Sequence, residues 1–224
     1  MCTSALKTKQ SINIFAAKNE WEPFQLGIYR PKAASPSEAE LKVSLSLFTN
    51  SASDTLPAAT IYKQHGLNIE KTPNKKYGHL GLAPDALVPL INPVSGAPTA
   101  GLYGGDEIMP KAGLTQGLWF DVYVPESAPA GEYQAQLTIR TGEKTLAQLP
   151  VNFTVQNFSL PKQRALKACF QLDVDSVKFS HRLKNIDQAK HLTSRYERLM
   201  HRHGIDNWSP NTGFNYGLNG VKIG

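Results

Sequence analysis

The sequence has little of what marks a membrane protein, a disulfide-bonded protein or a metalloprotein. Only two cysteines, Cys2 and Cys169, occur in 224 residues, which leaves one disulfide at most and no cysteine framework for a metal. No apolar run approaches the ~18 residues that a transmembrane helix needs. The first residues also lack the apolar segment of a signal peptide. We therefore expect no membrane-spanning helix and no bound metal ion.

Motifs of several enzyme classes are missing as well. The sequence has no G-x-S-x-G segment, on which many serine hydrolases carry their nucleophile. It has neither a Walker sequence nor G-x-G-x-x-G, whose glycines let the backbone approach phosphate groups. His201 and His203 stand two residues apart on a predicted helix, where side chains do not face each other. These absences predict no nucleotide, cofactor or metal for this chain.

The positive net charge does not come from a concentrated basic patch. The chain carries 24 Lys and Arg against 18 Asp and Glu, a formal net charge of +6. The basic residues are spread out, and the densest cluster, Lys71, Lys75 and Lys76, is short. Proteins that bind nucleic acid usually concentrate charge on one face and add aromatic residues for stacking. We expect no nucleic-acid partner.

Alternation of apolar and polar residues dominates the N-terminal part of the chain. In residues 41–48 the apolar positions are Leu41, Val43, Leu45 and Leu47. Such alternation indicates a strand that buries one face. The same pattern occurs in residues 117–124, 132–140 and 145–155, and shorter strands are predicted at 11–16 and 23–29. With no convincing helix among them, these strands predict an antiparallel β-sandwich.

Three local features qualify this prediction. Residues 141–144 (TGEK) join two alternating segments and predict a hairpin turn. Pro150 cannot donate a ladder hydrogen bond, which predicts an edge strand or a bulge there. Residues 62–113 are rich in Gly and Pro and weakly periodic, which predicts a long loop that is functional or contains short strands.

The pattern changes after residues 157–161 (NFSLP). The apolar residues 165–173 predict a buried strand, and residues 205–208 predict a second strand. Between them Asp187 is expected to cap a helix over residues 188–203. The apolar stripe of that helix consists of Leu192, Tyr196, Leu199 and Met200. Strand, helix and strand in this order are typical of a parallel sheet.

We therefore predict a mainly β protein with two domains, residues 1–162 and 163–224. The second is too short for a (β/α)8 barrel, which needs roughly 200 residues or more. It is predicted to be the first βα unit of an incomplete barrel. The apolar stripe of its helix then needs a neighbour. Without one, we expect this tail to be disordered, docked on the sandwich, or self-associated with a second chain.

Five segments in this order resemble the N-terminal region of family 123 glycoside hydrolases. The segments are residues 19–25 (NEWEPFQ), 84–90 (PDALVPL), 119–125 (WFDVYVP), 129–133 (PAGEY) and 157–161 (NFSLP). The resemblance implies a β-sandwich followed by a catalytic (β/α)8 barrel. It also implies retaining hydrolysis of N-acetylhexosaminides, with the substrate's own acetamide oxygen as nucleophile. An adjacent Asp-Glu pair on the barrel would orient that acetamide and supply the general acid and base.

The resemblance predicts that the catalytic residues lie outside this chain. Asp106-Glu107 is the only adjacent Asp-Glu pair, but it precedes the barrel in chain order, and a turn after two glycines explains it. Asp173 and Asp175 follow the first barrel strand, where barrel active sites lie, and are predicted to contact sugar hydroxyls. The structural alternative is that Asp175 or Ser176 caps a following turn.

Aromatic and acidic residues supply further candidates. Trp208, at the end of the second strand, is the best candidate to stack on a sugar, whereas Trp119 is expected to pack within the sandwich. Glu20 and Glu22 flank Trp21 and are expected to form salt bridges within the sandwich, with contact to the barrel as the alternative.

As a whole, the chain is interpreted as the non-catalytic accessory sandwich of a glycoside hydrolase, inactive by itself. Its expected partners are a glycan or glycoconjugate and the missing catalytic barrel. We expect a secreted or periplasmic location. The alternative functions are a freestanding carbohydrate-binding or adhesion module without catalysis, and a structural spacer.

Overall fold

The chain divides into two compact units, Met1–Leu160 and Pro161–Gly224. A computed structural model describes residues 11–32, 40–71, 78, 80–93, 95–99, 108–162 and 168–208, with the backbone alone for Cys169 and Trp208. The protein is mainly β, with several sheets.

The first unit contains nine described strands in two sheets. They are β1 (Ile12–Lys18), β2 (Glu20–Tyr29), β3 (Lys42–Leu45), β4 (Thr49–Asn50), β5 (Thr60–Ile69), β6 (Gly81–Pro89), β7 (Thr115–Val124), β8 (Gly131–Thr141) and β9 (Lys144–Ser159). The first sheet has the order β1-β9-β8-β3, with β4 also paired to β8. The second sheet has the order β2-β7-β5-β6. Both sheets contribute side chains to one hydrophobic core, so the unit is a β-sandwich.

The sandwich is not entirely antiparallel, and this corrects the sequence prediction. All pairs of the second sheet are antiparallel, but β1 runs parallel to β9 from Ile12–Val151 to Ala16–Val155. Alternation reports which face of a strand is buried and carries no information on strand direction. The direction of β1 is therefore set by where the chain returns and not by its own sequence.

The alternating segments bury the faces that their patterns predict. Strands β7, β8 and β9 alternate between core and surface, except that Asp121 of β7 is also buried. The inward residues are Leu118, Phe120, Val122, Val124, Tyr133, Ala135, Leu137, Ile139, Leu149, Val151, Phe153 and Val155. The hairpin at residues 141–144 is also confirmed, because Thr141 pairs with Lys144 and Gly142 takes a φ of 51°.

The predicted strand 41–48 is correct only in its first half. Regular pairing stops at Leu45, and Ser46 then bonds to Gln136 through both its backbone N–H and its hydroxyl. This irregular step shifts the alternation by one residue. Leu47 is consequently 49% exposed, while Phe48 is 1% exposed and stacks edge-on against Phe153.

Pro150 immediately precedes Val151, the first β9 residue that pairs with β1, so among the described residues β8 is its one neighbouring strand. The predicted edge position is therefore correct at Pro150, and the alternative of a bulge is not observed, because the β8–β9 register does not shift there. The partner residue Gln136 directs its N–H and C=O toward Ser46, at 2.9 and 3.0 Å, and therefore away from β9. Gln136 and Pro150 therefore form a non-hydrogen-bonded pair of the antiparallel ladder, and Pro150 makes no hydrogen bond to β8. β1 pairs with β9 only from Val151 onward, so the missing N–H of Pro150 leaves no ladder bond unmade.

Residues 62–113 contain most of β5 and all of β6, so the prediction that this segment contains strands is confirmed, although at ten and nine residues these strands are not short. These two strands pair with each other over nearly their full length. Most of their side chains are half-buried or exposed, and few reach the core. Without a fully buried face, neither strand shows the alternation by which it could be recognised.

The second unit contains β10 (Ala168–Gln171), α1 (Val174–Ser180), α2 (Ile186–Arg202) and β11 (Ile205–Trp208). The two strands pair in parallel, Ala168 with Ile205 through Gln171 with Trp208. The predicted order of strand, helix and strand is therefore confirmed. Helix α1 was not predicted, because its seven residues are too short for a visible apolar period.

The details of this unit differ from the prediction. The side chain of Asn185, not Asp187, caps α2 by accepting from the N–H of Gln188 at 2.9 Å. The buried residues of α2 are Ala189 and Thr193, whereas Leu199 is 51% exposed. The predicted burial of the first strand is also wrong at Phe170, which is 62% exposed. Residues 163–167, within and next to that predicted strand, lie outside the described part of the chain.

The core gives a direct test of the corrected alternation. Leu118→Ala removes a completely buried side chain and should lower the free energy of unfolding by about 2–5 kcal/mol. Leu47→Ala, at an exposed position, should change it by less than about 0.5 kcal/mol. Denaturant unfolding of both variants measures the difference. Equal losses would contradict the placement of Leu47.

Candidate functional site

The residues that the sequence singles out as sugar contacts lie at the carboxyl ends of β10 and β11. The two strands are parallel and in register, so they end at the same edge. Asp173 follows β10 by two residues, and Trp208 is the last residue of β11. Carboxyl ends of parallel strands are where ligands bind in α/β folds. The side chain of Trp208 is outside the described part, so its stacking role stays a prediction.

Asp173 is the N-cap of α1. Its Oδ1 accepts from the backbone N–H of Ser176 at 2.8 Å, and its Oδ2 accepts from the Ser176 hydroxyl at 2.7 Å. These bonds to Ser176 stabilise the charged form and lower the pKa of Asp173 below its usual value. Capping by Asp175 or Ser176 was predicted as the structural alternative to sugar contact; the cap is instead Asp173, and Ser176 is its partner.

Asp175 lies in the first turn of α1 and is exposed. A carboxylate near a helix N-terminus interacts favourably with the helix dipole. The described structure gives no hydrogen bond to the Asp175 side chain. Among the predicted sugar contacts, Asp175 therefore has a carboxylate that α1 does not use for capping.

Asn207 links the carboxyl ends of β10 and β11 through side-chain hydrogen bonds, a role that was not predicted from the sequence. Its Oδ1 accepts from the N–H of Leu172 at 3.0 Å, and its Nδ2 donates to Glu197 Oε1 at 2.8 Å. One amide thus joins β11 to the segment after β10 and to α2. A polar residue inside a short predicted strand was the only signal in the sequence.

A second polar contact joins the two helices. His181, at the C-terminal end of α1, has its Nε2 2.8 Å from the hydroxyl of Tyr196 on α2. Tyr196 was predicted as part of an apolar stripe, and its ring is half-buried. Its hydroxyl thereby fixes the end of α1 against α2.

The tryptophans of the sandwich lie on the outer face of the second sheet. Leu118 and Phe120 face the core, so Trp119 between them faces outward, half-buried, opposite Gln25 and Tyr62. Core packing of Trp119 is therefore not observed. Trp21 pairs with Tyr123, and their ring centroids are 5.0 Å apart.

Glu20 and Glu22 form no ion pair within the part of the chain that the structure describes. Glu20 accepts from the backbone N–H of Ala17 at 2.6 Å. Glu22 is half-buried, and burial raises the pKa of its carboxyl, with the nearby Glu20 charge as a second cause. The expected salt bridges are thus not observed: Glu20 accepts a hydrogen bond from the backbone, and Glu22 is a partly desolvated carboxyl group.

Several other candidates of the sequence analysis receive no support from the described residues. Asp106 and Glu107 lie outside them, as do Lys75 and Lys76. The described part of the chain contains no group of three His, Cys, Asp or Glu residues that could hold a metal ion. Among its helices, none is long and apolar enough to cross a membrane.

The comparisons with known proteins include a structural likeness to a solved enzyme. Neither a family model nor a curated protein sequence matches this chain. The structure is similar to a family 123 glycoside hydrolase from Clostridium perfringens, studied for glycolipid glycan hydrolysis, with a TM-score of 0.63 and 13% identity. The likeness covers 88% of this chain and 32% of the hydrolase.

This likeness shows a shared fold. Because the chain spans about a third of the hydrolase's length, most of that protein has no counterpart here. A PapD-like domain of human CEP192 matches 72% of the chain at 13% identity, but with a TM-score of only 0.27. That value is too low to support an argument.

The raised pKa of Glu22 predicts a pH-dependent effect. The folded protein holds the Glu22 proton more tightly than the unfolded chain, whose pKa is near the ordinary 4.5. Stability from this group is present below pH 4.5 and is lost as the pH rises through the raised pKa. Glu22→Gln should therefore raise Tm at pH 7, and the gain should shrink toward pH 4. Glu70→Gln, at an exposed position, is the control, and an equal gain there would contradict the assignment.

The bridging role of Asn207 predicts local loosening when it is removed. Asn207→Ala leaves the Leu172 N–H and the Glu197 carboxylate without this partner, at a cost of about 1 kcal/mol. Hydrogen exchange at Leu172 should become several-fold faster. Asp206→Ala, at the neighbouring position of β11, should leave that amide unchanged. Equal acceleration in both variants would indicate general fraying of β11.

Proposed function

We propose that this chain is the accessory β-sandwich and first βα unit of a glycoside hydrolase that acts on N-acetylhexosaminides. The supporting observation is the order of the two units. A β-sandwich is followed directly by parallel strands with intervening helices, and a family 123 glycoside hydrolase shares this fold over 88% of the chain.

The second unit is consistent with the start of a (β/α)8 barrel. Its two strands are parallel, and α1 and α2 lie between them in sequence, as in the repeating unit of such barrels. Two parallel strands form a small sheet, which depends on packing against helices or on further strands for its stability. Large apolar side chains of this unit are also exposed, with Phe179 at 86% and Phe170 at 62%. We propose that further barrel strands and helices cover them, and that without those elements the unit associates with a second copy.

Within this proposal the chain positions the substrate and performs no bond cleavage. Asp175 and Trp208 would contact sugar at the strand ends, while Asp173 would keep α1 in place through its cap. The adjacent Asp-Glu pair that orients the acetamide and transfers protons would lie on later barrel strands. The enzyme would be secreted or periplasmic, where glycans are accessible.

A second candidate is a carbohydrate-binding or adhesion module without catalysis. It is favoured by the sandwich itself, which has a complete core and needs no partner to bury its inner faces. The hydrolase proposal rests on the second unit of the chain, residues 161–224. The binding-module alternative rests on the sandwich, residues 1–160.

Turnover of p-nitrophenyl β-N-acetylgalactosaminide separates these proposals. The present chain should release no p-nitrophenol. A chain extended by the downstream coding sequence through a complete barrel should release it, and Ala at the Asp-Glu pair of the extension should abolish release. Turnover by the present chain would contradict the missing catalytic carboxylates. A stop codon after Gly224 together with glycan binding would favour the module.

A further inference from the structure

The second sheet of the sandwich opens between β5 and β7. The two strands pair from Thr60–Asp121 to Lys63–Leu118 and no further. Beyond this point β5 pairs with β6, and β7 continues along β2. Gln116 spans the opening, since its Nε2 donates to the carbonyls of Gln64 at 2.8 Å and Gly117 at 2.9 Å. A side chain of β7 thus makes one hydrogen bond to the backbone of β5 where the backbone ladder has stopped.

Glycines form the floor beside this opening. Gly27 and Gly117 are partners on β2 and β7, and both face outward because Leu26 and Leu118 face the core. A Cβ at Gly117 would collide with Oε1 of Gln64, so the Gln64 amide lies directly on the backbone of β7. Glycine inside a strand is typical of sites where another group approaches the backbone closely, and at Gly117 that group is the Gln64 side chain, which thereby becomes part of the groove.

The groove above this floor has the size of a small-ligand site. One cavity has a volume of about 320 Å³, and a second of about 340 Å³ shares five of its lining residues. Ligand sites in proteins usually begin at about 300 Å³. The first cavity has no charged side chain in its lining, whereas the second is also lined by Lys63, His65 and Lys111. The polar side chains of the first cavity are those of Gln25, Gln64, Thr115 and Gln116, and its apolar ones include Leu82 and Pro84.

Aromatic side chains flank the glycine floor at both ends. Tyr29 follows Gly27 by two residues on the same face and is 60% exposed. At the other end Trp119 stands opposite Gln25. Tyr29 is four residue steps beyond Gln25 along β2, a length of about 13 Å. A ligand longer than one sugar ring can therefore lie between the two aromatic residues.

The chemistry of the lining identifies the ligand class. Amides and a hydroxyl both donate and accept hydrogen bonds, as sugar hydroxyls do. The first cavity has no charged lining residue, so it offers no counter-ion to an anionic ligand and favours a neutral one. We propose that this first cavity is a second, non-catalytic binding site for a neutral saccharide. The choice of a glycan rests on the proposed function above.

Nuclear magnetic resonance of the ¹⁵N-labelled full chain tests this site with methyl N-acetyl-β-galactosaminide as probe. We expect saturable shifts of the Gly27, Gly66 and Gly117 amides. Gly27→Leu should fill the groove, because Gly27 faces outward and its φ suits any residue. It should weaken binding by about tenfold or more, a loss of about 1.4 kcal/mol. Ser44→Leu, at an exposed position of the other sheet, should not weaken it.

Gln64→Ala provides a second variant that adds no bulk, and it decides the matter if Gly27→Leu does not fold. It should also weaken binding, because it removes the amide that lies over Gly117. Unchanged affinity in a folded Gln64→Ala variant would overturn the site. So would an absence of saturable shifts, or shifts confined to the ends of β10 and β11. Shifts confined to the ends of β10 and β11 would overturn the groove site but would not contradict the proposed hydrolase. Binding in the groove, with no turnover by the extended chain, would support the groove site and contradict the hydrolase.

Discussion

The apolar layer between the two sheets is the constraint on which the rest of the sandwich depends. β7 contributes four residues with no exposed surface, and β8 and β9 supply the facing layer. Each fully buried large apolar side chain contributes about 1.5–3 kcal/mol. Tyr133 lies in this layer because its hydroxyl donates to the carbonyl of Pro129 at 3.0 Å. One polar atom is thereby satisfied at the edge of an otherwise apolar core.

This filled apolar layer limits the surfaces of the sandwich on which a ligand can bind. No ligand can enter between the sheets, so binding is restricted to the outer faces, the strand ends and the second unit. The outer face of the second sheet bears Trp21, Trp119 and Tyr29, along with the glycine floor. The strand ends of the second unit bear Asp175 and the amide bridge of Asn207. Both regions present polar groups on rigid strands, which suits recognition of a hydroxyl-rich ligand.

Prediction from the sequence succeeded where a strand buries one complete face. The inward residues of β7, β8 and β9 were all identified, because burial on one side imposes a period of two on the sequence. It failed where burial is partial. Strands β5 and β6 have no buried face, and for their segment the sequence predicted a long loop that is functional or contains short strands, without locating the strands. At Leu47 a single irregular step, fixed by the bonds between Ser46 and Gln136, reversed the pattern.

The candidate site was predicted only in outline. The order of strand, helix and strand placed Asp173 and Asp175 after the first parallel strand, because local periods and turn residues mark each element. The roles of these residues depended on three-dimensional contacts. A carboxylate two residues beyond a strand is suited to capping or to ligand binding, and only the Ser176 bonds decide that Asp173 caps α1.

The sequence by itself thus determined the β-sandwich, its core strands and the change to a βα unit near residue 160, because each of them produces a local period of apolar residues in the sequence. Tertiary structure decided the parallel pairing of β1, the opening between β5 and β7, and the bridge of Asn207. These features join residues that are distant in sequence, such as Gln64 and Gln116 or Ile12 and Val151. No local pattern records such pairs, because their geometry exists only after the chain has returned to form both sheets.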